Sequence, residues 1–199
     1  MPDLLAKHRN FAMFGGGKLS IPKLETQRLI LRGFEARDFD GYAAMMADPD
    51  VARYIAPAPM SRGDAWRSLA SSIGHWTLRG YGVWAVERKS DGALVGRVGM
   101  INPEGWPALE IGWTLAKEYW GKGYATEAAA ASMAYAFVTQ PVARLVSNID
   151  PENVASQSVA LRLGETKGAR RSLSVGGKDY PVDEWSITRS EWQKRASSA

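Results

Sequence analysis

The chain has 199 residues, 45% hydrophobic and 23% charged, a length and balance that suit one soluble domain of generous size. It contains no cysteine, which excludes disulfides, thiolate metal sites and a thiol nucleophile. Its formal net charge of +4 is modest, and no basic stripe with interleaved aromatics stands out, so we expect no nucleic-acid partner.

The N-terminal residues 1–22 contain three successive glycines, Gly15 to Gly17, and no clear hydrophobic periodicity. This pattern predicts a flexible or loosely docked arm ahead of the folded domain. Residues 1–20 hold no continuous apolar run, and no later stretch is long enough to span a membrane. We therefore expect a cytoplasmic protein that has no membrane partner.

Alternating and helical patterns follow in the first third of the chain. The segment Thr26–Arg32 alternates apolar and polar residues and is predicted to be the first strand. Apolar residues at helical spacing predict a helix over residues 35–46, with Asp38 as its N-cap. A second helix is predicted to open at Ser61 and to bury a row formed by Trp66, Leu69, Ile73 and Trp76.

The middle of the chain predicts two further strands and then a central one. Gly82–Glu87 and Leu94–Ile101 flank the dipeptide Asp91-Gly92, which signals a tight hairpin turn. After a loop with two prolines, Leu109–Leu115 alternates again and is predicted to be the central strand. Three antiparallel strands thus precede the first strand–turn–helix unit.

A glycine turn, Trp120–Ala125, links the central strand to a helix predicted over Tyr124–Val138. A helix start offers unpaired backbone N–H groups and the positive end of the helix dipole. Gly121 and Gly123 let an anion approach that backbone closely, which predicts a cradle for phosphate or pyrophosphate. A P-loop is excluded because it requires Ser or Thr where Gly123 stands. A dinucleotide-binding fold is disfavoured because antiparallel strands come first.

The C-terminal third predicts a strand, a helix and a hairpin. Arg144–Ile149 is predicted to run parallel to the central strand, through a right-handed crossover. A helix follows from Asn153 and ends at Gly164. A final hairpin is predicted from two strands, 172–175 and 182–187, around Gly176 and Gly177. Nothing indicates an internal repeat or a second domain.

The turn Trp120-Gly-Lys-Gly-Tyr-Ala125 resembles the motif [QR]-x-x-G-x-[GA] of the GNAT N-acetyltransferases, with Trp in the first position. Together with Glu110-Ile-Gly-Trp113 and Ala125-Thr-Glu-Ala128, it is similar to the RimJ/RimL-like branch, the ribosomal-protein N-terminal acetylases. The likeness extends over residues 24–192. It implies an α/β GNAT fold with a mixed, mostly antiparallel central sheet flanked by helices. A parallel strand pair would splay at the acetyl-CoA site, within a single acetyltransferase domain at residues 23–195.

The resemblance implies that acetyl-CoA is the co-substrate, and no metal is expected. Its pyrophosphate would lie on the N–H groups of residues 121–126, and its pantetheine arm along the open edge of the central strand. The implied acetyl-CoA-binding residues are Trp113, Thr114, Leu115, Trp120, Gly121, Lys122, Gly123, Tyr124, Ala125, Thr126, Asn153 and Ser156. The alternative role for Asn153 and Ser156 is capping of their own helix.

Two residues are candidates for catalysis. Glu110, on the central strand, is the candidate general base that removes a proton from the acceptor amine. Its alternative role is that of a solvent-facing or salt-bridged strand residue. The Tyr that many GNAT enzymes use as an acid is replaced by Ala160, so Ser156 is the candidate donor to the departing thiolate. Because cysteine is absent, direct attack in a ternary complex is favoured over a covalent relay.

The acceptor implied by this branch is a primary amine, first of all the N-terminal α-amino group of a protein or peptide. A small-molecule amine is the alternative, since the branch contains such enzymes too. A non-catalytic acyl-CoA-binding regulatory module is another, because Ala160 and Glu165 depart from the family pattern, which has Phe in the second position. A dinucleotide-binding oxidoreductase is a distant third. The sequence also allows a homodimer formed through the C-terminal strands or the N-terminal arm.

Overall fold

A single eight-stranded sheet organises the residues that the computed structural model describes, 20–56, 58–175 and 178–197. Its strands are β1 (Leu24–Glu25), β2 (Leu29–Arg32), β3 (Val83–Arg88), β4 (Leu94–Ile101), β5 (Glu110–Leu115), β6 (Arg144–Ile149), β7 (Thr166–Val175) and β8 (Lys178–Thr188). The α-helices are α1 (Phe39–Ala47), α2 (Pro49–Ala52), α3 (Arg62–Arg79), α4 (Tyr124–Thr139), α5 (Val154–Leu163) and α6 (Arg189–Ser197). Two 3-10 turns occupy Ala36–Asp38 and Lys117–Tyr119.

The strands lie in the order β1-β2-β3-β4-β5-β6-β8-β7. Neighbours run antiparallel except β5 and β6, which run parallel and are connected through α4. This arrangement confirms the predicted α/β class, with a mostly antiparallel sheet, flanking helices and one parallel pair. It also rules out a doubly wound parallel sheet for the part of the chain described here.

The two larger of three apolar clusters among the described residues hold most of the helices in place. The larger one joins α4 to the central strands, and small side chains on the buried face of α4 let the helix lie close: Ala128, Ala129 and Ala136. The smaller one lies between α1 and α3 and includes Tyr42, Met46 and Leu69. The site-bearing strands β5 and β6 are therefore anchored by α4 on the larger core.

The first helices differ from prediction in two respects. Trp66 does not share the buried face of α3, since 58% of its surface is exposed and its ring meets Phe39 edge-on. The buried row of this helix runs instead through Ala65, Leu69 and Trp76. Asp38 holds the N-cap position of α1, as predicted, but its carboxylate makes no capping hydrogen bond to the helix; it accepts the backbone N–H of Glu35 and faces Arg32.

Arg32 is the centre of a buried ion-pair network that ties β2 to β3 and to the first 3-10 turn. Its guanidinium donates two hydrogen bonds to Asp38, at 2.7 and 2.8 Å, and one to Glu87 at 2.8 Å. The side chains of Arg32 and Asp38 are only 11% and 3% exposed. Burial alone raises the pKa of Asp38, but the bonds from Arg32 and Glu35 outweigh it and leave that pKa below its ordinary value.

The C-terminal region is more regular than predicted. The hairpin strands β7 and β8 begin earlier than the predicted segments, β8 also ends one residue later, and α6 was not predicted. Gly176, Gly177 and residues 1–19 of the predicted arm lie outside the described residues. At the edge of that arm, the indole N–H of Trp84 donates to the Pro22 carbonyl at 2.8 Å.

Replacing Arg32 with Met should lower the free energy of unfolding by about 3 kcal/mol, because Asp38 is left buried without its cation. The loss should shrink as pH falls below the ordinary Asp pKa of 3.8, where wild type also loses this contribution. Urea unfolding at several pH values measures it. The control is Arg62→Met, which removes an exposed pair with Asp40 and should cost no more than about 0.5 kcal/mol. Equal losses in the two variants would contradict the assignment.

Candidate active site

The fork between β5 and β6 opens the sheet at its centre. Strand β5 pairs with β4 over six successive residues, but with β6 the register holds only at Glu110 and Val146. Beyond that point the two strands separate. The edge of β5 from Gly112 to Leu115 therefore has no strand partner among the described residues, and its backbone groups face a gap.

The predicted glycine turn lies directly below this edge. Gly121 and Gly123 both adopt left-handed backbone angles, with φ of +72° and +79°. These angles let the chain turn sharply into α4, which begins at Tyr124 and has 16 residues. The N–H groups at the start of this long helix and the positive end of its dipole thus lie at a turn in which two positions, Gly121 and Gly123, carry no side chain.

The fork and the turn form one cleft of about 910 Å³. All the residues assigned to acetyl-CoA in the sequence line it: Trp113, Thr114, Leu115, Trp120, Gly121, Lys122, Gly123, Tyr124, Ala125, Thr126, Asn153 and Ser156. The structure brings these residues together from β5, the turn, α4 and α5. Their role as ligands stays a prediction.

Two cations, Lys122 and Arg162, also line the cleft. Neither has a carboxylate partner within the described ranges, and the Lys122 ammonium lies 5.6 Å from the ring centre of Tyr119. Four other basic residues of the C-terminal half are engaged in ion pairs with Asp183 and Glu184: Arg144, Lys167, Arg170 and Arg171. Positive charge at the cleft is thus available for an anion.

A clasp between Arg28 and Glu127 fixes the glycine turn, and the sequence did not predict it. The Arg28 side chain donates to Glu127 at 2.7 Å and to the Lys122 carbonyl at 2.9 Å. Thr26 donates to the same carboxylate at 2.6 Å, and the Arg28 guanidinium stacks on Tyr124 at 4.6 Å. The clasp therefore holds the Lys122 carbonyl on the Arg28 side of the turn.

Trp120, in the first position of the motif, has a structural contact. Its indole N–H donates to the Leu115 carbonyl at 2.8 Å and ties the turn to the end of β5. This carbonyl belongs to the segment predicted to bind the pantetheine arm, so one of the predicted backbone acceptors already has a donor. The backbone N–H and C=O groups of Gly112 to Thr114 on this edge have no partner on β6 and remain available to a ligand.

At the other wall, Asn153 and Ser156 begin α5. The Asn153 side chain accepts the Ser156 backbone N–H at 3.0 Å, so the capping role considered for it is confirmed. The Ser156 hydroxyl oxygen accepts the indole N–H of Trp113 at 3.2 Å. Because that bond uses a lone pair of the oxygen, the hydroxyl hydrogen remains free to donate into the cleft.

Glu110 is buried at the base of the fork, with 7% of its surface exposed, and does not line the cleft itself. The solvent-facing or salt-bridged alternative is therefore wrong. The Asn148 amide donates to its carboxylate at 2.7 Å. Burial raises the pKa of Glu110 to about 8, although the bonds from Asn148 oppose this. Gly112 follows on the same face of β5, and the Ile101 side chain fills the position that a Gly112 side chain would take, next to the Glu110 carboxylate.

Glu165, the departure from the family pattern, is also buried, with 2% of its surface exposed. One carboxyl oxygen lies 3.0 Å from the Ser147 hydroxyl, which itself donates to the Ile111 carbonyl at 2.8 Å. Burial raises the pKa of Glu165 to about 8. Ser147 and Glu165 were not predicted as site residues, because only their positions in the fold bring them to the fork.

The outer end of the cleft is lined by α2 and the turn after it, with Asp50, Val51, Tyr54 and Ile55. An ion pair of 2.5 Å joins Asp50 to Lys117 after β5. The Tyr54 hydroxyl donates to the Glu152 carbonyl at 3.4 Å, just before α5. This segment therefore bridges the two walls and gives the mouth both apolar and acidic surface.

Metal and membrane features are lacking in the part of the chain that is described. It holds no group of three His, Cys, Asp or Glu residues able to bind a metal ion. None of its helices is long and apolar enough to cross a bilayer. His75 is held between the Tyr81 carbonyl at 2.7 Å and the Asn102 backbone N–H at 3.3 Å, a structural role.

Comparison with known proteins agrees with this geometry. The sequence model of the family described as "Acetyltransferase (GNAT) domain" matches residues 28–166. YkkB of Bacillus subtilis is 35% identical over 150 residues, which cover 71% of this chain and 84% of YkkB. An acetyltransferase crystal structure from Agrobacterium tumefaciens superposes with a TM-score of 0.75 at 29% identity, covering 88% of this chain and 99% of its own.

One similar protein carries a name that states its reaction. The FsC-acetyl coenzyme A-N(2)-transacetylase of Aspergillus fumigatus is 29% identical over 192 residues. The match covers 86% of this chain and 78% of the fungal protein. Both the family and this relative therefore concern acetyl transfer.

Replacing Gly121 or Gly123 with Ala tests the left-handed turn. Gly121→Ala should cost about 1 kcal/mol of unfolding free energy, since its added Cβ meets no atom within 4 Å and only the φ angle is strained. Gly123→Ala should cost more, because its Cβ would lie 3.3 Å from the Arg28 guanidinium. The control is Gly74→Ala in α3, which has free space and should stabilise the fold by up to about 1 kcal/mol. Thermal unfolding ranks the three, and stabilisation by either turn variant would contradict the geometry.

Proposed function

Because the chain belongs to the GNAT family of acetyltransferases, we propose that it transfers the acetyl group of acetyl-CoA to a primary amine, first of all an N-terminal α-amino group. The family makes it an acetyl-CoA-dependent acyltransferase. One observation supports the finer proposal: the glycine turn, the start of α4 and the open edge of β5 face a single cleft. A helix start suits a pyrophosphate, and an open strand edge suits an extended arm with amide groups.

In the proposed complex the pyrophosphate accepts backbone N–H groups of residues 121–126. Lys122 and Arg162 supply positive charge to the phosphates, since neither has a carboxylate partner in the described chain. The pantetheine arm lies along the edge of β5 at Trp113 to Leu115 and places the thioester near the base of the fork. Asn153 and Ser156 contact the arm from α5.

The acceptor amine must be neutral before it attacks the thioester carbon. In the proposed mechanism Glu110 accepts its proton, directly or through one water. The amine nitrogen then forms a bond to the carbonyl carbon, and the C–S bond breaks to release CoA as a thiolate. A raised pKa of about 8 suits Glu110 to this task, because the proton affinities of base and amine are then matched.

The leaving thiolate needs a hydrogen-bond donor, and Ser156 is proposed for this role. Trp113 donates to the Ser156 oxygen and leaves the hydroxyl hydrogen free. The Trp113 contact also limits rotation of the hydroxyl, so the donor is oriented before the thiolate forms. Ala160, at the position where many GNAT enzymes carry the acid, is buried in a small apolar cluster and cannot donate a proton.

An α-amino group is preferred as acceptor for a chemical reason. Its ordinary pKa of about 8 is near that of Glu110, whereas a lysine side chain near 10.4 holds its proton more firmly. The mouth at Tyr54 and Ile55 offers apolar contacts to such a chain end, and the Asp50 carboxylate there is shared with Lys117. A small-molecule amine is the second candidate, favoured by the name of the fungal relative.

Calorimetric titration with acetyl-CoA, with NADH as control, is the first test. Thiol release with N-terminal peptides and with small amines then identifies the acceptor class. We expect acetyl-CoA to bind, NADH not to bind, and release to require an α-amino group. Release with small amines alone would move the proposal to the second candidate. Binding without turnover would favour a regulatory acyl-CoA-binding module, and no binding would overturn the proposed cleft.

Glu110→Gln should lower kcat by about 100-fold with little change in the KM for acetyl-CoA, because the amide cannot accept the proton. The ratio of wild-type to variant kcat should rise with pH and level above about pH 8, where Glu110 is ionised. Because both kcat values are measured with the same acceptor amine, the ionisation of that amine affects them equally and cancels in the ratio. Glu118→Gln, the same change at an exposed position after β5, is the control. A ratio that is independent of pH would argue against Glu110 as the base.

A further inference from the structure

The end of α5 directs a carboxyl group into the interior. Gly164 takes a left-handed conformation with φ of +89°, and the backbone N–H of Glu165 returns to the Ala160 carbonyl at 3.0 Å. In this type of helix end the residue after the glycine usually packs an apolar side chain against the helix. Here that position holds Glu165, which is almost fully buried.

The protonation state of the Glu165 carboxyl can be inferred from the hydrogen-bond partners of Ser147. Its hydroxyl oxygen lies 2.8 Å from the Ile111 carbonyl oxygen and 3.0 Å from a Glu165 carboxyl oxygen. A hydroxyl has one hydrogen, and a carbonyl oxygen can only accept. If Ser147 donates to Ile111, the second contact is a hydrogen bond only when Glu165 is the donor, and a carboxyl group donates only when it is protonated.

We infer that Glu165 is a neutral carboxylic acid whose O–H donates to Ser147, and that this relay holds the fork between β5 and β6 in its open geometry. Each hydroxyl in this relay donates to the next oxygen: Glu165 donates to Ser147, and Ser147 donates to the carbonyl of Ile111. Glu165 is thus a positioning residue for the acetyl-CoA cleft. The positioning role of Glu165 rests on the proposed function, whereas its protonation state does not.

The surroundings of Glu165 favour the neutral form. Its second carboxyl oxygen has no hydrogen-bond partner within the described residues, which a neutral carbonyl oxygen tolerates better than a carboxylate. Burial is the largest cause of its raised pKa. The nearby charges do not offset the burial, because Glu110 on β5 is another acid and Asp183 on β8 is already paired with Lys167 and Arg170.

Other charged groups around this corner are also engaged. Glu184 on β8 accepts from Arg144 and Arg171. On α6, Arg195 lies against Gly164 and donates to the Arg162 carbonyl at 3.4 Å. Ionisation of Glu165 would therefore place an unpaired charge in the interior and turn the Ser147 hydroxyl away from the Ile111 carbonyl.

The protonation state is tested by carbon NMR on the full chain with labelled glutamate side chains. The Glu165 signal, assigned by its loss in Glu165→Gln, should show a protonated carboxyl at pH 7. It should titrate well above the ordinary value of 4.5. An ionised carboxylate at pH 7 would overturn the inference, whether or not the protein binds acetyl-CoA.

Stability gives an independent reading. Between pH 4.5 and about 8 the unfolded chain has released this proton and the folded chain retains it, so wild-type stability falls as pH rises. An amide has no such proton. The unfolding constant of wild type relative to Glu165→Gln should therefore rise by up to about tenfold per pH unit in this window and level above it. Glu110 is present in both proteins, and its titration cancels while Glu165 is neutral in wild type; parallel pH curves would contradict the inference.

The positioning role is tested by acetyl-CoA binding. Glu165→Leu and Ser147→Ala each remove one link of the relay and should weaken binding by about two- to tenfold, the equivalent of one hydrogen bond. Glu165→Gln can donate from its amide and should restore most of the affinity lost in Glu165→Leu, including above pH 8. Equal affinity in all three variants would overturn the positioning role. Glu118→Gln serves as the exposed control.

Discussion

The separation of β5 from β6 is the constraint on which the rest of the molecule depends. When two strands part inside a protein, buried N–H and C=O groups lose their partners and must find others. Here side chains of the two strands supply them. Ser147 donates to the Ile111 carbonyl, and Asn148 gives both its backbone N–H and its side-chain amide to Glu110. The fork can therefore stay open without leaving those groups unsatisfied.

The electrostatics of the cleft follow from how the glycine turn is held. Glu127 lies in the first turn of α4, where the positive end of the helix dipole stabilises a carboxylate and the carboxylate in turn offsets that positive potential. Arg28 and Thr26 bind this carboxylate from outside the cleft, and Arg28 also takes the Lys122 carbonyl. The acid is thus neutralised on the outer side, and the helix start remains free to attract an anion on the inner side.

Local patterns predicted those parts of the site that short-range chemistry determines. The turn at Gly121 and Gly123, the start of α4 and the cap of α5 agree with the sequence, because each is encoded within a few residues. The contact of Arg28 with Glu127 joins residues 99 positions apart, so no local pattern contains it. The prediction that Trp66 is buried was wrong for a similar reason. Helical spacing predicts which residues share a face of α3, but not how much of that face other elements cover.

The two buried acids of the fork, Glu110 and Glu165, share one environment but have different proposed roles. Burial raises the pKa of Glu110 and of Glu165 to about 8, and the two would repel each other if both were ionised. The hydrogen-bond directions around Ser147 place a proton on Glu165, whereas Glu110 accepts two donors from Asn148 and is suited to become the anion. A neutral Glu165 removes the like charge that opposes ionisation of Glu110. As long as it keeps its proton, the acid that departs from the family pattern does not oppose ionisation of the proposed base, which links the helix end at Gly164 to the chemistry of the cleft.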